Sequence, residues 1–300
     1  MRVLGIDLGG TNLRWATLEV EGPPRLLADG STETHAERGP AAVLDRVAEV
    51  ARAAIASAGP VAAIGLGAPG PLDVEGGRAL FMTNLPGWEN QPIVGPLEER
   101  LGQPVSLIND VRAYTLAEFE LGAGRGCRDL VCFALGTGVG GGVVVDGRLL
   151  LNLNGTAGEI GHQTIEPDGP PCPCGSRGCL EQYVSGPSIA RAAGTDTSEE
   201  AFAAASAADS RAVEAFERAS TALGVGIANV VLAVGPERVI VGGGVAADPA
   251  AGELLLQPAR EELARRIRVM PIERVAVVPA ELGSPAGAIG AALWGASATR

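Results

Sequence analysis

Basic residues, histidine and long apolar runs are all scarce in this sequence. Its 23 lysines and arginines are outnumbered by 35 acidic residues, which gives a net charge of −12. Such a chain repels nucleic acid and anionic membranes at long range, so neither is expected as a partner. No run of about 18 apolar residues occurs, which argues against a membrane span. Residues 1–20 lack the basic start and uninterrupted apolar stretch of a secretory signal, so we expect a cytoplasmic protein.

Aromatic residues are also few, at 3%, whereas glycine is abundant, at 43 residues. Glycine at that level predicts many tight turns, some of them suited to close contact with ligand phosphates. The apolar fraction of 46% is ordinary for a globular protein and argues against disorder. The length of 300 residues suits one large domain or two lobes.

One of the only two histidines precedes a cluster of cysteines. His162 lies ten residues before Cys172, and Cys174 and Cys179 follow within eight positions. In a cytosolic chain such clustering indicates a metal more than a disulfide. Three cysteines and one histidine complete a tetrahedral Zn²⁺ set with no open position, so the sequence predicts a structural zinc site. The other two cysteines are isolated and are interpreted as plain buried residues.

Two glutamates, Glu159 and Glu181, flank this cluster in the sequence. Carboxylates accept hydrogen bonds from adjacent sugar hydroxyls. If zinc fixes both loops, it also holds these two carboxylates rigidly, as an ion orients a neighbouring binding site. The alternative is that both are ordinary surface residues.

Apolar patterns of strand and helix type alternate along the chain, which predicts α/β layers. Predicted strands cover 2–8, 13–20, 61–66, 104–108, 129–135, 143–145, 238–241 and 274–278. Predicted helices cover 40–58, 111–121, 186–193, 199–207, 210–233, 252–267 and 286–296. A strand–glycine turn–strand unit occurs twice, which indicates an internal duplication; chance is the alternative.

Three glycine-rich segments are candidates for nucleotide contact, because glycine lets backbone N–H groups approach phosphate oxygens. The first predicted contacts are Asp7, Gly9, Gly10 and Thr11, with Asp7 placed to hold Mg²⁺ directly or through water. The second are Gly136, Thr137, Gly138 and Gly140 in a turn over 136–142. The third are Gly242, Gly243 and Gly244, predicted beside the base and ribose. Simple tight turns are the alternative in each case.

Asn109 and Asp110 follow an apolar strand. A strand end places a carboxylate at the edge of a sheet, where an aspartate can accept the proton of an attacking hydroxyl. The pair is equally suited to begin a helix as its N-cap, which is the alternative interpretation.

Seven motifs make the chain similar to the ROK-family sugar kinases, in the family's order and over essentially its whole length. They are DLGGTN (7–12), APGPLD (68–73), NLPGW (84–88), LIND (107–110), GTGVGGG (136–142), GEIGH (158–162) and CPCGSRGCLEQYVSG (172–186). The cysteine motif is highly specific to that family. The resemblance implies an actin-like (ribonuclease H-like) ATPase fold of the α/β class, with two lobes and a cleft between them.

The resemblance also implies roles for single residues. Asp110 is the expected catalytic base that deprotonates the sugar hydroxyl. The expected sugar contacts are Gly70 through its backbone, Asn84, Asn109, Asp110, Glu159, His162 and Glu181. One ring nitrogen of His162 is then expected on zinc and the other near the sugar. The phosphate loops and the adenosine contacts fall on the three glycine segments.

The implied reaction is ATP-dependent phosphorylation of a hexose, with glucose favoured because the sequence looks most similar to bacterial glucokinases of this family. The implied lobes are residues 1–109, completed by a helix near 286–300, and residues 110–285 with the zinc loop. A homodimer or homotetramer is implied. Other sugars (fructose, mannose, N-acetylmannosamine) and polyphosphate as donor stay open. A sugar-responsive transcription regulator is disfavoured, since the first glycine loop begins too early for a preceding DNA-binding segment.

The chain departs from the family pattern at two positions around the base. Ile108 stands where an acidic residue often precedes the Asn-Asp pair. Arg112 falls within Val-Arg-Ala, where many members read Ala-Asn-Ala. Neither change removes the base, but the arginine is expected to alter the charge around Asp110.

Overall fold

The first and last predicted elements of the chain belong to the same folding unit. The computed structural model describes residues 1–82, 85–151 and 155–298. Contacts divide the chain into unit 1 (Met1–Arg125, Leu149–Ala157 and Ser284–Arg300) and unit 2 (Gly126–Arg148 and Gly158–Gly283). The lobe boundary that the sequence predicts at residues 109–110 stays a prediction beside this division.

The described strands and helices include all of the predicted ones. The strands are β1 (Arg2–Leu8), β2 (Asn12–Glu19), β3 (Arg25–Glu33), β4 (Ala63–Ala68), β5 (Leu72–Asp73), β6 (Arg78–Phe81), β7 (Glu89–Pro92), β8 (Val105–Asn109), β9 (Leu130–Leu135), β10 (Val139–Val145), β11 (Arg148–Leu149), β12 (Arg238–Gly242) and β13 (Ala276–Pro279). The helices are α1 (Pro40–Ala58), α2 (Val94–Leu101), α3 (Asp110–Glu120), α4 (Glu181–Val184), α5 (Gly186–Ala193), α6 (Ser198–Ser206), α7 (Ser210–Val234), α8 (Pro249–Arg266) and α9 (Ala286–Ser297). Strands β3, β5, β6, β7 and β11 and helices α2 and α4 are additional to the prediction.

The main sheet of unit 1 has the strand order β3-β2-β1-β4-β8. The first three strands form an antiparallel meander, and β4 and β8 continue parallel to β1. One face of β1 packs Leu4 and Ile6 on the buried side of α1, which includes Val43 and Val47. Proline in the first turn and Gly59 after the last residue fix the bounds of α1, as predicted.

Helix α9 covers the other face of this sheet at very short range. A Cβ atom at Gly5 would lie 1.9 Å from the Ala288 carbonyl oxygen, and one at Gly65 would lie 1.8 Å from that of Ala291. Trp294 Nε1 donates a hydrogen bond of 2.9 Å to the Leu107 carbonyl. Backbone contact of this kind requires glycine in the strands, because any side chain would separate helix and sheet.

The sheet of unit 2 has the order β11-β10-β9-β12-β13. Its central strand β9 pairs antiparallel with β10 and parallel with β12, just as β1 pairs with β2 and β4. The predicted repetition of a strand–turn–strand unit is therefore confirmed.

The predicted start of the returning strand is wrong, because β10 begins at Val139 rather than at residue 143. The glycines from position 140 onward lie in the strand, where Gly140 is opposite Ala134 and Gly141 is opposite Phe133. A Cβ atom at Gly141 would lie 2.3 Å from the Ile160 side chain, so this glycine makes room for packing. Gly140 is accordingly a strand residue and not part of the turn.

Helix α7 is the one helix among the described residues that is long and apolar enough to cross a bilayer. More than half of its most apolar window, 56%, is buried in the protein. A core helix of a globular unit can have the same length and composition, and α7 is such a helix.

Candidate active site

The turn between β1 and β2 is held in shape by Thr34, the residue that follows β3. The Gly9 N–H donates 3.0 Å to the Asn12 carbonyl, and Thr34 donates from its hydroxyl to the Gly9 carbonyl at 2.7 Å and from its N–H to the Thr11 carbonyl at 2.9 Å. Gly10 is half-buried and Thr11 is exposed at the tip of the turn. Thr34 is a buried residue that no sequence pattern singles out, since its role depends on strand pairing.

Asp7 is the penultimate residue of β1 and lies in a confined position. The Asp7 Oδ2 atom lies 4.0 Å from Arg14 Nη1. A Cβ atom at Gly287 would lie only 2.6 Å from the same oxygen, so a glycine is needed there. Burial raises the pKa of Asp7 to about 6, although the Arg14 guanidinium acts in the opposite direction. Gly67 lies between two predicted site residues, because a Cβ there would be 3.7 Å from both Asp7 Oδ1 and Asp110 Cα.

Asn109 is the N-cap of α3, as its alternative interpretation held. Its Oδ1 accepts from the backbone N–H groups of Val111 at 3.1 Å and Arg112 at 3.3 Å. Its Nδ2 donates to the Gly70 carbonyl at 3.3 Å, which brings two predicted sugar contacts together. Asp110 is the first helical residue, and its Oδ1 accepts from the Val111 N–H at 2.9 Å. The cap therefore orients the amide and the carboxylate side by side.

Arg112 is 2% exposed, and its guanidinium is used to hold backbone and amide groups. Nη1 donates to Asn109 Oδ1 at 2.9 Å, Nε to the Ala157 carbonyl at 2.8 Å and Nη2 to the Thr156 carbonyl at 3.0 Å. The arginine thus ties the segment before the GEIGH motif to the cap residue of α3. Ile108, the other departure from the family pattern, is buried with Ala113 and Ala291.

In unit 2 the turn between β9 and β10 consists of Gly136, Thr137 and Gly138. The Gly136 N–H donates to the Gly138 carbonyl at 2.9 Å, and the Gly186 N–H donates to the Gly136 carbonyl at 2.8 Å. Thr137 and Gly138 are exposed. Glu181 Oε2 accepts from the Val139 N–H at 2.8 Å, so a predicted sugar-binding carboxylate lies directly on this turn.

The third glycine segment lies beside the same turn. Gly242 ends β12 opposite Ala134. Gly243 has a φ of 91°, and a Cβ there would lie 2.3 Å from the Leu135 carbonyl oxygen. Gly244 has open space around it. The structure therefore brings the second and third predicted glycine segments together within unit 2.

The four predicted metal ligands form one compact group. The ligand atoms of His162, Cys172, Cys174 and Cys179 all lie within 4.8 Å of one another. The Cys172 Sγ–His162 Nδ1 distance is 3.7 Å and the Cys174 Sγ–Cys179 Sγ distance is 3.6 Å. Two ligands at about 2.3 Å from a tetrahedral zinc ion lie about 3.8 Å apart, so these separations fit that ion. Since Nδ1 is the ring nitrogen beside Cys172 Sγ, Nε2 is the one on the other side of the ring.

The surroundings of the cysteines shift the pKa values of two of the thiols in opposite directions. Burial raises the pKa of the Cys179 thiol to about 12, whereas a hydrogen bond to the Ser176 backbone lowers the pKa of the exposed Cys174 thiol. Gln182 Nε2 lies 3.6 Å from Cys172 Sγ. A bound cation is the group that would stabilise several thiolates at such a place.

The remaining predicted residues are placed as follows. Glu159 is exposed and precedes the short helix Ile160–His162. Asn84 lies outside the described residues. Unit 1 thus holds the β1–β2 turn, Gly70 and the Asn109–Asp110 pair, and unit 2 holds the β9–β10 turn, the third glycine segment, Glu159, Glu181 and the metal ligands.

Comparisons with known proteins agree over the whole chain. A glucokinase of Thermotoga maritima is 35% identical over 97% of this chain and 96% of its own length. A ROK hexokinase structure from Thermus thermophilus has a TM-score of 0.87 at 37% identity, covering 100% of this chain and 99% of that one. A ROK-family glucokinase from Streptomyces griseus, in complex with glucose and AMPPNP, has a TM-score of 0.80 at 32% identity, covering 99% and 100%.

These structural likenesses confirm the expected actin-like ATPase fold of the α/β class. The family model for ROK proteins matches residues 3–297, a span that includes every motif described above. The chain belongs to the ROK family.

Proposed function

We propose that this protein is a sugar kinase that transfers the γ-phosphate of ATP to a hydroxyl of a hexose, with glucose as the preferred acceptor. The observation that carries the proposal is the grouping of Asp7, Gly67 and Asp110 at the carboxyl ends of β1, β4 and β8. That edge of a parallel arrangement is where α/β proteins bind ligands. The glucokinase names of the relatives support glucose.

Asp110 is the proposed general base. The oxygen of the sugar hydroxyl forms a bond to the γ-phosphorus while the bond from that phosphorus to the β–γ bridging oxygen breaks, and ADP leaves. The hydroxyl proton passes to the Asp110 carboxylate. The α3 cap supports this role, because Asn109 and the Val111 N–H fix the first turn of the helix and so the carboxylate.

Sugar contacts are proposed for each unit by itself. In unit 1 these are the Gly70 backbone, Asn84 and Asn109, and Asn109 is preoriented by its own hydrogen bonds. In unit 2 they are Glu159, His162 through Nε2, and Glu181. Hydroxyl groups and carboxylates form the directional hydrogen bonds that distinguish one hexose from another.

The phosphates are proposed to lie against the two glycine turns, at Gly9 and Gly10 and at Gly136–Gly138. They would accept hydrogen bonds from the Gly10, Thr137 and Gly138 N–H groups and from the Thr11 and Thr137 hydroxyls, because the Gly9 and Gly136 N–H groups are used within the turns. Adenosine is proposed to lie beside Gly242–Gly244, where Gly244 leaves open space. Mg²⁺, when bound with ATP, would neutralise phosphate oxygens. Asp7 fits as its holder, because a neighbouring cation favours ionisation of a carboxyl group whose pKa is raised by burial.

The His162, Cys172, Cys174 and Cys179 site is proposed to hold structural Zn²⁺, which would fix both loops without an open coordination position. The protein is further proposed to act in the cytoplasm as a homodimer or homotetramer, and without nucleic acid or membrane partners.

The test is an ADP-release assay with ATP and Mg²⁺ across glucose, fructose, mannose and N-acetylmannosamine, with polyphosphate as a parallel donor. We expect the highest kcat/KM with glucose and ATP. Asp110→Asn should bind glucose by calorimetry but lose roughly 10²–10⁴-fold in kcat, the usual contribution of a general base. The exposed Asp45→Asn is the matched control. Full turnover in Asp110→Asn would remove Asp110 from the mechanism. If none of the tested sugars causes release of ADP, the proposed function is refuted.

A further inference from the structure

The segment that follows the last metal ligand is attached to the glycine turn of unit 2. Glu181 comes two residues after Cys179, and its Oε2 accepts from the Val139 N–H at 2.8 Å. Gly186, at the start of α5, donates from its N–H to the Gly136 carbonyl at 2.8 Å. The two hydrogen bonds hold the two ends of the turn, so residues 181–186 form a brace across Gly136–Val139.

Gly138 shows how closely this brace is fitted. A Cβ atom at position 138 would lie 2.7 Å from Glu181 Oε2, inside van der Waals contact. A side chain at position 138 would therefore displace the Glu181 carboxylate, in addition to obstructing a phosphate at the turn. A Cβ at Gly161 would lie 1.9 Å from the Val139 carbonyl oxygen, so the GEIGH segment, which carries the ligand His162, packs on the same residue from another side.

The brace also limits which N–H groups of the turn can bind phosphate. The Gly136 N–H is used by the Gly138 carbonyl, and the Val139 N–H is used by Glu181. Within the described part of the chain, no hydrogen bond engages the N–H of Thr137 or Gly138, and both residues are exposed. The donors left for a phosphate are these two N–H groups and the Thr137 hydroxyl.

We infer that Glu181 is a positioning residue for the phosphate turn, through which the loop with the metal ligands sets the conformation of Gly136–Gly138. A carboxylate beside a phosphate site repels the ligand, so its presence needs a compensating role. The hydrogen bond to Val139 supplies one, since it fixes the peptide planes that precede β10. The inference rests on the proposed function only in taking the bound anion to be a nucleotide phosphate.

The test compares three variants of the full chain with its metal bound. Glu181→Ala removes the acceptor, Glu181→Gln keeps an amide oxygen that can accept the same hydrogen bond, and Glu217→Ala removes an exposed glutamate of α7. Hydrogen exchange of the Val139 amide reports the brace directly. Calorimetry with AMPPNP and Mg²⁺, without any hexose, reports the phosphate turn and excludes effects on sugar contacts.

We expect Glu181→Ala to speed exchange of the Val139 amide about tenfold or more and to weaken AMPPNP binding by a similar factor, as loss of a charged hydrogen bond implies. Glu181→Gln should recover most of both, and Glu217→Ala should change neither. Unchanged exchange and affinity in Glu181→Ala overturn the inference. If Glu181→Ala fails to fold, equal AMPPNP affinity of metal-bound and metal-stripped wild type overturns it. Absence of sugar phosphorylation in the wild type would refute the proposed function while leaving the exchange result decisive.

Discussion

Asp7 stands in an environment that disfavours its charge. Burial at the end of β1 raises its pKa from 3.8 to about 6, and Arg14 at 4.0 Å compensates only in part. The folded state holds the proton of Asp7 more tightly than the unfolded state does. The stability that the protonated carboxyl contributes is therefore complete below about pH 4 and is lost as the pH rises through about 6. At neutral pH the ionised carboxylate therefore costs stability, which a binding role near a cation accounts for.

The Asp7→Asn variant should accordingly be more stable than the wild type at pH 7 while losing phosphotransfer. A shift of about 2 pH units corresponds to about 3 kcal/mol, and this advantage should shrink by about 2 kcal/mol on going to pH 4. Urea unfolding in Mg²⁺-free buffer at both pH values measures it, with the exposed Asp29→Asn as control. An advantage that is equal at the two pH values would contradict the assigned burial effect.

At the scale of elements, α9 is joined to its sheet by backbone contacts that leave no space for a side chain. Gly5 and Gly65 on neighbouring strands meet the helix backbone, and on the other side Gly290 of α9 meets α3, where a Cβ would lie 1.6 Å from the Ala113 carbonyl oxygen. Backbone atoms cannot rotate away as side chains do. The glycines on both surfaces are therefore a condition for this layer to close.

Gly65→Ala is expected to destabilise the protein by about 3 kcal/mol or more, because its methyl group would lie 1.8 Å from the Ala291 carbonyl oxygen and overpacking without relief exceeds the usual range of about 1–3 kcal/mol. The control is Gly252→Ala in α8, whose nearest neighbour would be 3.3 Å away. That change should stay within about 1 kcal/mol of the wild type. Equal chemical denaturation midpoints for the two variants would show that α9 can shift away from β4.

Elements with strong local signals were predictable, and those that depend on partners were not. Helix α1 has apolar residues at helical spacing and a glycine after its last residue, and its bounds are those predicted. Strand β3 could not be predicted because every one of its residues is exposed or half-buried, and pairing with β2 is what makes it a strand. The predicted start of β10 is wrong for a related reason: glycine is disfavoured in strands, but Gly141 is needed here because a side chain at that position would meet Ile160.

The site residues likewise comprise some with a local sequence signal and others whose role depends on distant partners. The metal ligands were predictable because their spacing along the chain is itself the signal, and the structure brings all four together. That Arg112 alters the charge near the base stays a prediction. Its guanidinium contacts include Asn109 and the carbonyls of residues 156 and 157, which no sequence pattern indicates. Such a role, like that of Thr34, exists only once distant segments have come together.

At the scale of the whole molecule, the metal site is expected to carry stability for unit 2. Cys174 is exposed, so Cys174→Ser removes a ligand without opening a cavity. We expect about one zinc per chain in the wild type, a substoichiometric content in Cys174→Ser, and a melting midpoint lower by roughly 5–10 °C, as loss of a few kcal/mol implies. Elemental analysis and calorimetric melting measure both quantities.

Cys127→Ser is the control for that experiment, because Cys127 lies outside the ligand group and is only half-buried. It should retain the ion and the wild-type midpoint. A wild-type protein with reduced cysteines, no bound metal and an unchanged midpoint would refute the structural role of zinc.

The contact of α9 with β1 and β4 has a consequence for synthesis on the ribosome. Residues 126–148 and 158–283 of unit 2 are complete before residues 286–297 emerge, but the sheet of unit 1 lacks its second layer until then. At a translation rate of about 5–20 residues per second, the face of β1 and β4 stays uncovered for roughly ten seconds or more. The earliest strand of the chain is thus among the last to be buried, and a nascent chain stalled before α9 exposes it to chaperones and proteases.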